Sequence, residues 1–347
     1  MKKVFLIPLM LSLSICILAW AAPAQSGSKV YKWKLQHDAP RGDIQTELLT
    51  HFSKDVEKRS DGRLKIKIFA DPELVPGFEL LQGVMAGTLE MANTSGLFES
   101  GQIPLSAIEF GLPMMYKFPK LKGDFIKEAN EIRKFFYKSG MVELLRKEYA
   151  KFGVYWLDMH TYGPDTLFLT KPVKTVNDLK GMKMFVMPQM GSWIKSMGAA
   201  YSEPAGGDLY MGLKLGVVDA GAWDINGITA LKFYEVAPHV LIGYSNDHMI
   251  GHFEVNLKAW NSLPDDLKQV LKDATKDWWG YKNNVIAGIV RDSIALGKKG
   301  EFKPQRLDEK SQTKLYELAV KVWDEWGQRN ESCGKAVALQ KEWFKTR

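Results

Sequence analysis

A chain of 347 residues, 46% hydrophobic and 25% charged, can bury a large core and is long enough for two domains, so disorder is excluded as its default state. Its formal charge of +7 is spread along the sequence. No arginine-rich arm and no basic stripe interleaved with aromatics is present, so no nucleic-acid partner is expected.

The first two dozen residues read as an export signal. Lys2 and Lys3 precede an apolar run from Val4 to Trp20, and Ala19-Trp20-Ala21 and Ala22-Pro23-Ala24 are two small-residue cleavage patterns. Cleavage near Ala24 is expected. A membrane anchor needs ~20 uninterrupted apolar residues, and Pro8 and Pro23 argue against one. Leu13-Ser14-Ile15-Cys16 is a poor lipoprotein box, because Ile15 stands where a small residue is wanted. Cleavage removes two lysines and Cys16, which lowers the formal charge to +5 and leaves Cys333 alone. No internal disulfide can form, and the fold must rest on its core.

The segment that follows alternates as a strand does, with Tyr31, Trp33 and Leu35 on one side, and breaks at His37-Asp38-Ala39-Pro40. A helical pattern runs from Ile44 to Arg59 with Leu48, Leu49, Phe52 and Val56 on one face. Asp61-Gly62 turns the chain into a second alternating strand, Leu64 to Phe69. This is β-α-β order, the unit of a mainly parallel sheet with helices on its faces.

A spacing repeat links two distant segments, 79–90 and 208–219. Each has an opening acid, a leucine, two glycines four apart and a closing acid, Glu90 or Asp219. Each reads as a short helix, a glycine C-cap and an apolar strand, so two similar α/β lobes are expected.

A long helix is expected to join them. Ser262 reads as its N-cap, with Pro264, Asp265 and Asp266 in its first turn. Apolar residues recur from Leu267 to Ile289, and a helix ending near Leu296 would be ~50 Å long unless Gly280 or Gly288 breaks it. A second amphipathic helix, Ser311 to Trp326, and a short one near Val337 to Phe344 complete the chain.

No catalytic constellation assembles. There is no nucleophile elbow, phosphate loop, dinucleotide fingerprint or His-Glu-x-x-His. His248 and His252 are four apart, which would suit a metal on a helix, but Gly251 and the alternation from His252 to Asn256 indicate a strand, and no metal or cofactor is expected. A two-lobed exported chain without catalytic machinery points to ligand capture between lobes.

Five stretches in order resemble one family, the extracytoplasmic solute-binding proteins of TRAP transporters, dicarboxylate-binding type. They are 63–69, 79–91, 176–184 (Val-Asn-Asp-Leu-Lys-Gly-Met-Lys-Met), 215–219 (Leu-Gly-Val-Val-Asp) and 255–264. The resemblance implies a two-lobed α/β periplasmic binding protein fold with crossing hinge strands and a long helix spanning both lobes. Lobe I would hold residues 28–155 and about 240–278, lobe II residues 156–239 and about 279–347. It further implies a periplasmic protein that closes over a small organic acid and delivers it to the membrane permease subunits of a sodium-coupled transporter, with no covalent chemistry. A solute-sensing subunit docking on a signalling receptor is the alternative, and a periplasmic enzyme a distant one.

Two positions depart from the family's pattern. Phe185 stands where such proteins usually carry a carboxylate-gripping arginine, and Ala222 where they carry a glutamate; Trp223 is kept, as in the branch that resembles 2-oxo acid binders. Phe185, Trp223 and Tyr162 are therefore expected to cover an apolar or aromatic part of the solute. Arg41 is the candidate replacement for the missing arginine, with His37 as a second donor. Asp224, Asn226, Gln189 and Asn93 follow predicted strands, where ligands gather in open parallel sheets. Asp224 could instead bind an amine, or a cation that bridges to a carboxylate.

Overall fold

A computed structural model describes residues 29–121, 123–202 and 209–344. The export signal with its cleavage near Ala24, and Asp208 at the start of the second repeat, lie outside the described residues.

The strands are β1 (Tyr31–Pro40), β2 (Leu64–Asp71), β3 (Met91–Ser95), β4 (Val154–Gly163), β5 (Thr166–Leu169), β6 (Lys183–Phe185), β7 (Ala200–Ser202), β8 (Ala220–Trp223), β9 (His239–Ile242), β10 (Met249–Asn256) and β11 (Lys303–Pro304). They form two sheets, ordered β2-β1-β3-β10-β4 and β11-β9-β5-β8-β6-β7. In the first, β1 runs parallel to β2 and β3, and β10 antiparallel to β3 and β4. In the second, β6 is parallel to β7 and β8 while β5 is antiparallel to β8 and β9. Each sheet carries its own helices, which gives the expected two-lobed α/β architecture.

The first lobe assembles as the alternation predicts. The helix Ile44–Arg59 starts at Asp43, whose side chain accepts from the Gln45 amide at 2.8 Å. It buries Leu48, Leu49, Phe52 and Val56 against Trp33, Leu35, Leu64 and Ile66. β1 runs on through the expected break to Pro40, with an irregularity in its register after Gln36.

The repeat is structural. Helix Leu80–Ala86 ends in a left-handed Gly87, and helix Leu209–Lys214 is followed by Gly216, also at positive φ. The closing acids then do equivalent work: Glu90 accepts from the Lys34 amide at 2.8 Å and Asp219 from the Lys183 amide at 2.9 Å. Each carboxylate ties its unit to the neighbouring strand.

The chain changes sheet at 164–165 and at 243–248, the first eight or nine residues beyond the boundary expected at 155/156 and the second just beyond the one expected at about 239/240. The two crossings run side by side. The Asp165 amide donates to the Asn246 carbonyl at 3.0 Å, and the Tyr244 amide to the Asp165 carbonyl at 3.2 Å.

The third connection is the helix Asp265–Lys299, 35 residues without interruption at Gly280 or Gly288. Leu267, Leu271, Ala274 and Trp278 pack into the first lobe, while Ile289, Val290 and Leu296 pack against the Phe168, Phe233 and Phe302 cluster of the second. Its N-cap is Pro264. Ser262 instead ends the preceding short helix Leu257–Ser262, where its hydroxyl donates to the Ala259 carbonyl at 2.7 Å. The helices that follow it are Glu309–Gly327 and Glu331–Phe344, the last longer than its apolar pattern suggested. That last helix packs on helices Pro104–Phe110 and Met141–Ala150 of the first lobe, and Cys333 is buried and free within it. No helix among the described residues is long and apolar enough to cross a membrane.

Candidate functional site

The two lobes and the long helix enclose a cavity of about 840 Å³, within the range of small-molecule sites. Its walls are mostly apolar: Phe78, Phe98 and Phe110 from the first lobe, Phe185, Trp223 and Leu231 from the second. Phe78 and Phe98 meet edge to face at 4.8 Å.

Lys282 stands where all three parts meet. It projects from the middle of the long helix, is 1% exposed, and is the only cation lining the cavity among the described residues. Its Nζ lies 2.9 Å from His160 Nδ1, 4.8 Å from the centre of the Tyr162 ring and 5.1 Å from that of Trp278. Burial lowers its pKa to about 7, against the pull of Asp38, Asp43 and Asp224. Burial also keeps His160 neutral, so Lys282 is the donor in that pair.

Carboxyl groups surround the lysine from both lobes. Asp38, near the end of β1, accepts from the Tyr162 hydroxyl at 2.8 Å, and burial raises its pKa to about 7. Asp224, just after β8, accepts from the Asn226 amide at 2.9 Å and is raised to about 7, again by burial. Asp165, in the first crossing, is raised to about 8 by burial. All four groups are therefore part-ionised near neutral pH, and an incoming charge decides where their protons sit.

Of the nine residues expected at the site, Phe185, Trp223, Asp224, Asn226 and Tyr162 line the cavity. Phe185 is only 7% exposed and shares a core cluster with Leu209 and Phe168, so one edge meets the cavity and the rest of the ring packs the lobe. The other four do not line it. Arg41 turns outward, its side chain 62% exposed and paired with Glu73. His37 faces the helix Ile44–Arg59, with Nε2 3.0 Å from the Thr46 hydroxyl, and burial lowers its pKa to about 4; a neutral imidazole held there is no carboxylate partner. Asn93 Oδ1 accepts from Gln45 at 3.3 Å inside the first lobe. Gln189 is buried with neither side-chain polar atom hydrogen-bonded among the described residues. Sequence reasoning missed Lys282, Asp38, Asp43 and Asp165. A signal for Lys282 existed, since it sits four residues from both Trp278 and Ile286, on the buried face of its helix.

The family model for "Bacterial extracellular solute-binding protein, family 7" matches residues 35–330. The chain belongs to that family. It is 28% identical over 268 residues, 75% of this chain and 69% of the other, to a monocarboxylate 2-oxoacid-binding periplasmic protein of Nostoc sp.. It is 24% identical to the ectoine-binding periplasmic protein TeaA of Halomonas elongata, covering 84% of this chain and 81% of the other. A TRAP periplasmic solute-binding protein from Colwellia psychrerythraea, solved with calcium and pyruvate, superposes with a TM-score of 0.81 at 22% identity, covering 92% of this chain and 95% of that one. That last likeness concerns the fold alone. The family is one of solute-binding transport components rather than enzymes, and solute capture is the function that follows.

Proposed function

We propose that the cavity captures a small organic acid with an apolar or aromatic part and hands it to the permease subunits of a TRAP-type transporter, after export and cleavage near Ala24 into the periplasm. The observation that carries the reading is Lys282, a buried cation aimed into an otherwise apolar and acidic cavity. A carboxylate placed there gains a charge-assisted hydrogen bond in a low dielectric. Phe185, Trp223, Phe78 and Phe98 then cover the apolar remainder. The 2-oxoacid named for the Nostoc relative is in keeping with this chemistry.

Asp38, Asp43 and Asp224 favour a second reading, in which the solute also carries a basic nitrogen or arrives with a cation. The calcium and pyruvate of the Colwellia protein are in keeping with the latter.

One experiment separates the readings. Thermal-shift screens of matched monocarboxylates, amino acids and amines, with and without calcium, should yield a stabiliser, since a ligand at 100 times its Kd adds ~2.7 kcal/mol. Affinity of the hit is then titrated against pH. A carboxylate held by Lys282 binds more weakly as pH rises above about 7, where the lysine loses its proton. An amine held by Asp38 and Asp224 binds more tightly over the same rise, because those groups ionise near 7. No stabiliser among any of these classes would overturn the reading.

A further inference from the structure

A second group of ionisable side chains lies inside the first lobe, behind the cavity wall formed by Phe98 and Phe110. Glu99, Glu109, His252 and Glu254 are at most 2% exposed, and none of them lines the cavity. His252 and Glu254 share β10 and point to the same side of it, two residues apart; Glu99 and Glu109 come from the turn after β3 and the helix Pro104–Phe110.

The polar atoms are unevenly satisfied. Glu109 accepts from Trp156 Nε1 at 2.6 Å, and its other oxygen lies 3.3 Å from the Tyr149 hydroxyl. One oxygen of Glu99 accepts from the same Tyr149 hydroxyl. The other oxygen of Glu99, and both oxygens of Glu254, have no hydrogen-bond partner among the described residues. His252 bridges the halves, with Nδ1 3.2 Å from Glu109 and Nε2 3.4 Å from Glu99. Buried carboxylates without donors are costly unless a cation or protons answer them.

From these contacts we infer a structural metal site, in which Glu99, His252 and Glu254 ligate one divalent transition-metal ion of the zinc or manganese type. One ligand atom from each of the three lies within 4.8 Å of the others. Zinc binds such nitrogen and oxygen donors at ~2.0–2.2 Å, so closing the site needs shifts of under about an ångström. One imidazole and two carboxylates form a donor set for zinc or manganese, whereas calcium prefers oxygen alone. Glu109 completes the arrangement from outside: it faces the other ring nitrogen of His252, the carboxylate–histidine–metal geometry that fixes the tautomer and sharpens the ligand. Trp156 and Tyr149 hold Glu109 in turn. The ion would tie β10 to the segment 99–109 that lies over it, and it would enter as the chain folds, because the ligand side chains are closed to solvent.

The test uses the full chain exported by cells grown with added zinc or manganese, purified, and washed briefly with EDTA to strip surface sites. Metal content by mass spectrometry and the thermal midpoint are measured for the wild type and for Glu254→Gln and His252→Gln. The expected result is about one ion per wild-type chain, a midpoint higher than that of chain grown without the metal, and loss of both in each variant. Glu254→Gln removes a buried carboxylate, so its metal-free midpoint should equal or exceed that of metal-free wild type, which shows that it still folds. Retention of under about a tenth of an ion per chain with both metals, equal retention by the variants, or an unchanged midpoint would overturn the site.

Discussion

At the scale of single residues, the positive charge lining the cavity comes from Lys282 and not from Arg41. Lys282→Met should weaken binding of an acid ligand about 10–100-fold, the loss of a charge-assisted hydrogen bond of ~1.5–3 kcal/mol. Arg41→Ala, which breaks only an exposed pair with Glu73, should change affinity less than about twofold; calorimetric titration of both variants checks the contrast. The same groups shape stability against pH. Between about 4 and 7 the folded chain keeps protons on Asp38, Asp165 and Asp224 that the unfolded chain has released. His37, whose folded pKa is lowered, pulls the other way, but the three carboxyls outnumber it, so stability falls as pH rises through that window. Between about 7 and about 10.5 the unfolded chain holds the proton that folded Lys282 lacks, and stability climbs again. Calorimetry of the ligand-free protein should therefore find a shallow minimum near neutrality, and Asp224→Asn should flatten its acid side.

At the scale of elements, two glycines in structurally different places should respond oppositely to alanine. Gly280 lies on the solvent face of the long helix, and a methyl group there meets nothing within 4 Å, so Gly280→Ala should add ~0.5–1 kcal/mol without touching affinity. Gly251 in β10 has His160 Cε1 2.4 Å from where a methyl carbon would sit, and Tyr162 at 2.6 Å. Gly251→Ala must move the partners of Lys282 and Asp38, so it should weaken ligand binding as well as lower the thermal midpoint. These elements were legible in the sequence to different depths. The helix Ile44–Arg59 was read to its ends, because its apolar face repeats cleanly and Asp43 caps it. The start of the long helix was not, because Ser262 is as good a cap as any until one sees it spent closing the helix before. Asp38 looked like part of a break; β1 instead carries on past an irregularity in register and delivers that side chain to the cavity. Phe185 and Trp223 could be placed by resemblance. Lys282 could not, since lysines on helices are ordinarily solvated and only its position among apolar neighbours marks it.

At the scale of the whole molecule, the lobes meet through two paired crossings and one continuous helix. The crossings are short, zipped to each other by backbone hydrogen bonds, and pinned from the first lobe by Asn246, which accepts from the Tyr116 amide at 2.9 Å and donates to the Leu112 carbonyl at 3.2 Å. Hinge closure of this kind is favoured only by contacts that a ligand makes in the closed state. Small-angle scattering should thus record a smaller radius of gyration when a bound solute spans Lys282 and Trp223, and no change when Trp223→Ala removes the far wall's grip.

The midpoint of the long helix has a kinetic consequence. If the lobes swing about a helix fastened to both, the point displaced least is its midpoint, where the lysine sits. The charge a solute meets on entry would then be the same before and after the walls swing in. Recognition would run in two steps, an electrostatic landing on a stationary post followed by apolar enclosure. Added salt should slow the first and leave the second alone, so the association rate would fall with ionic strength while residence time stays nearly constant.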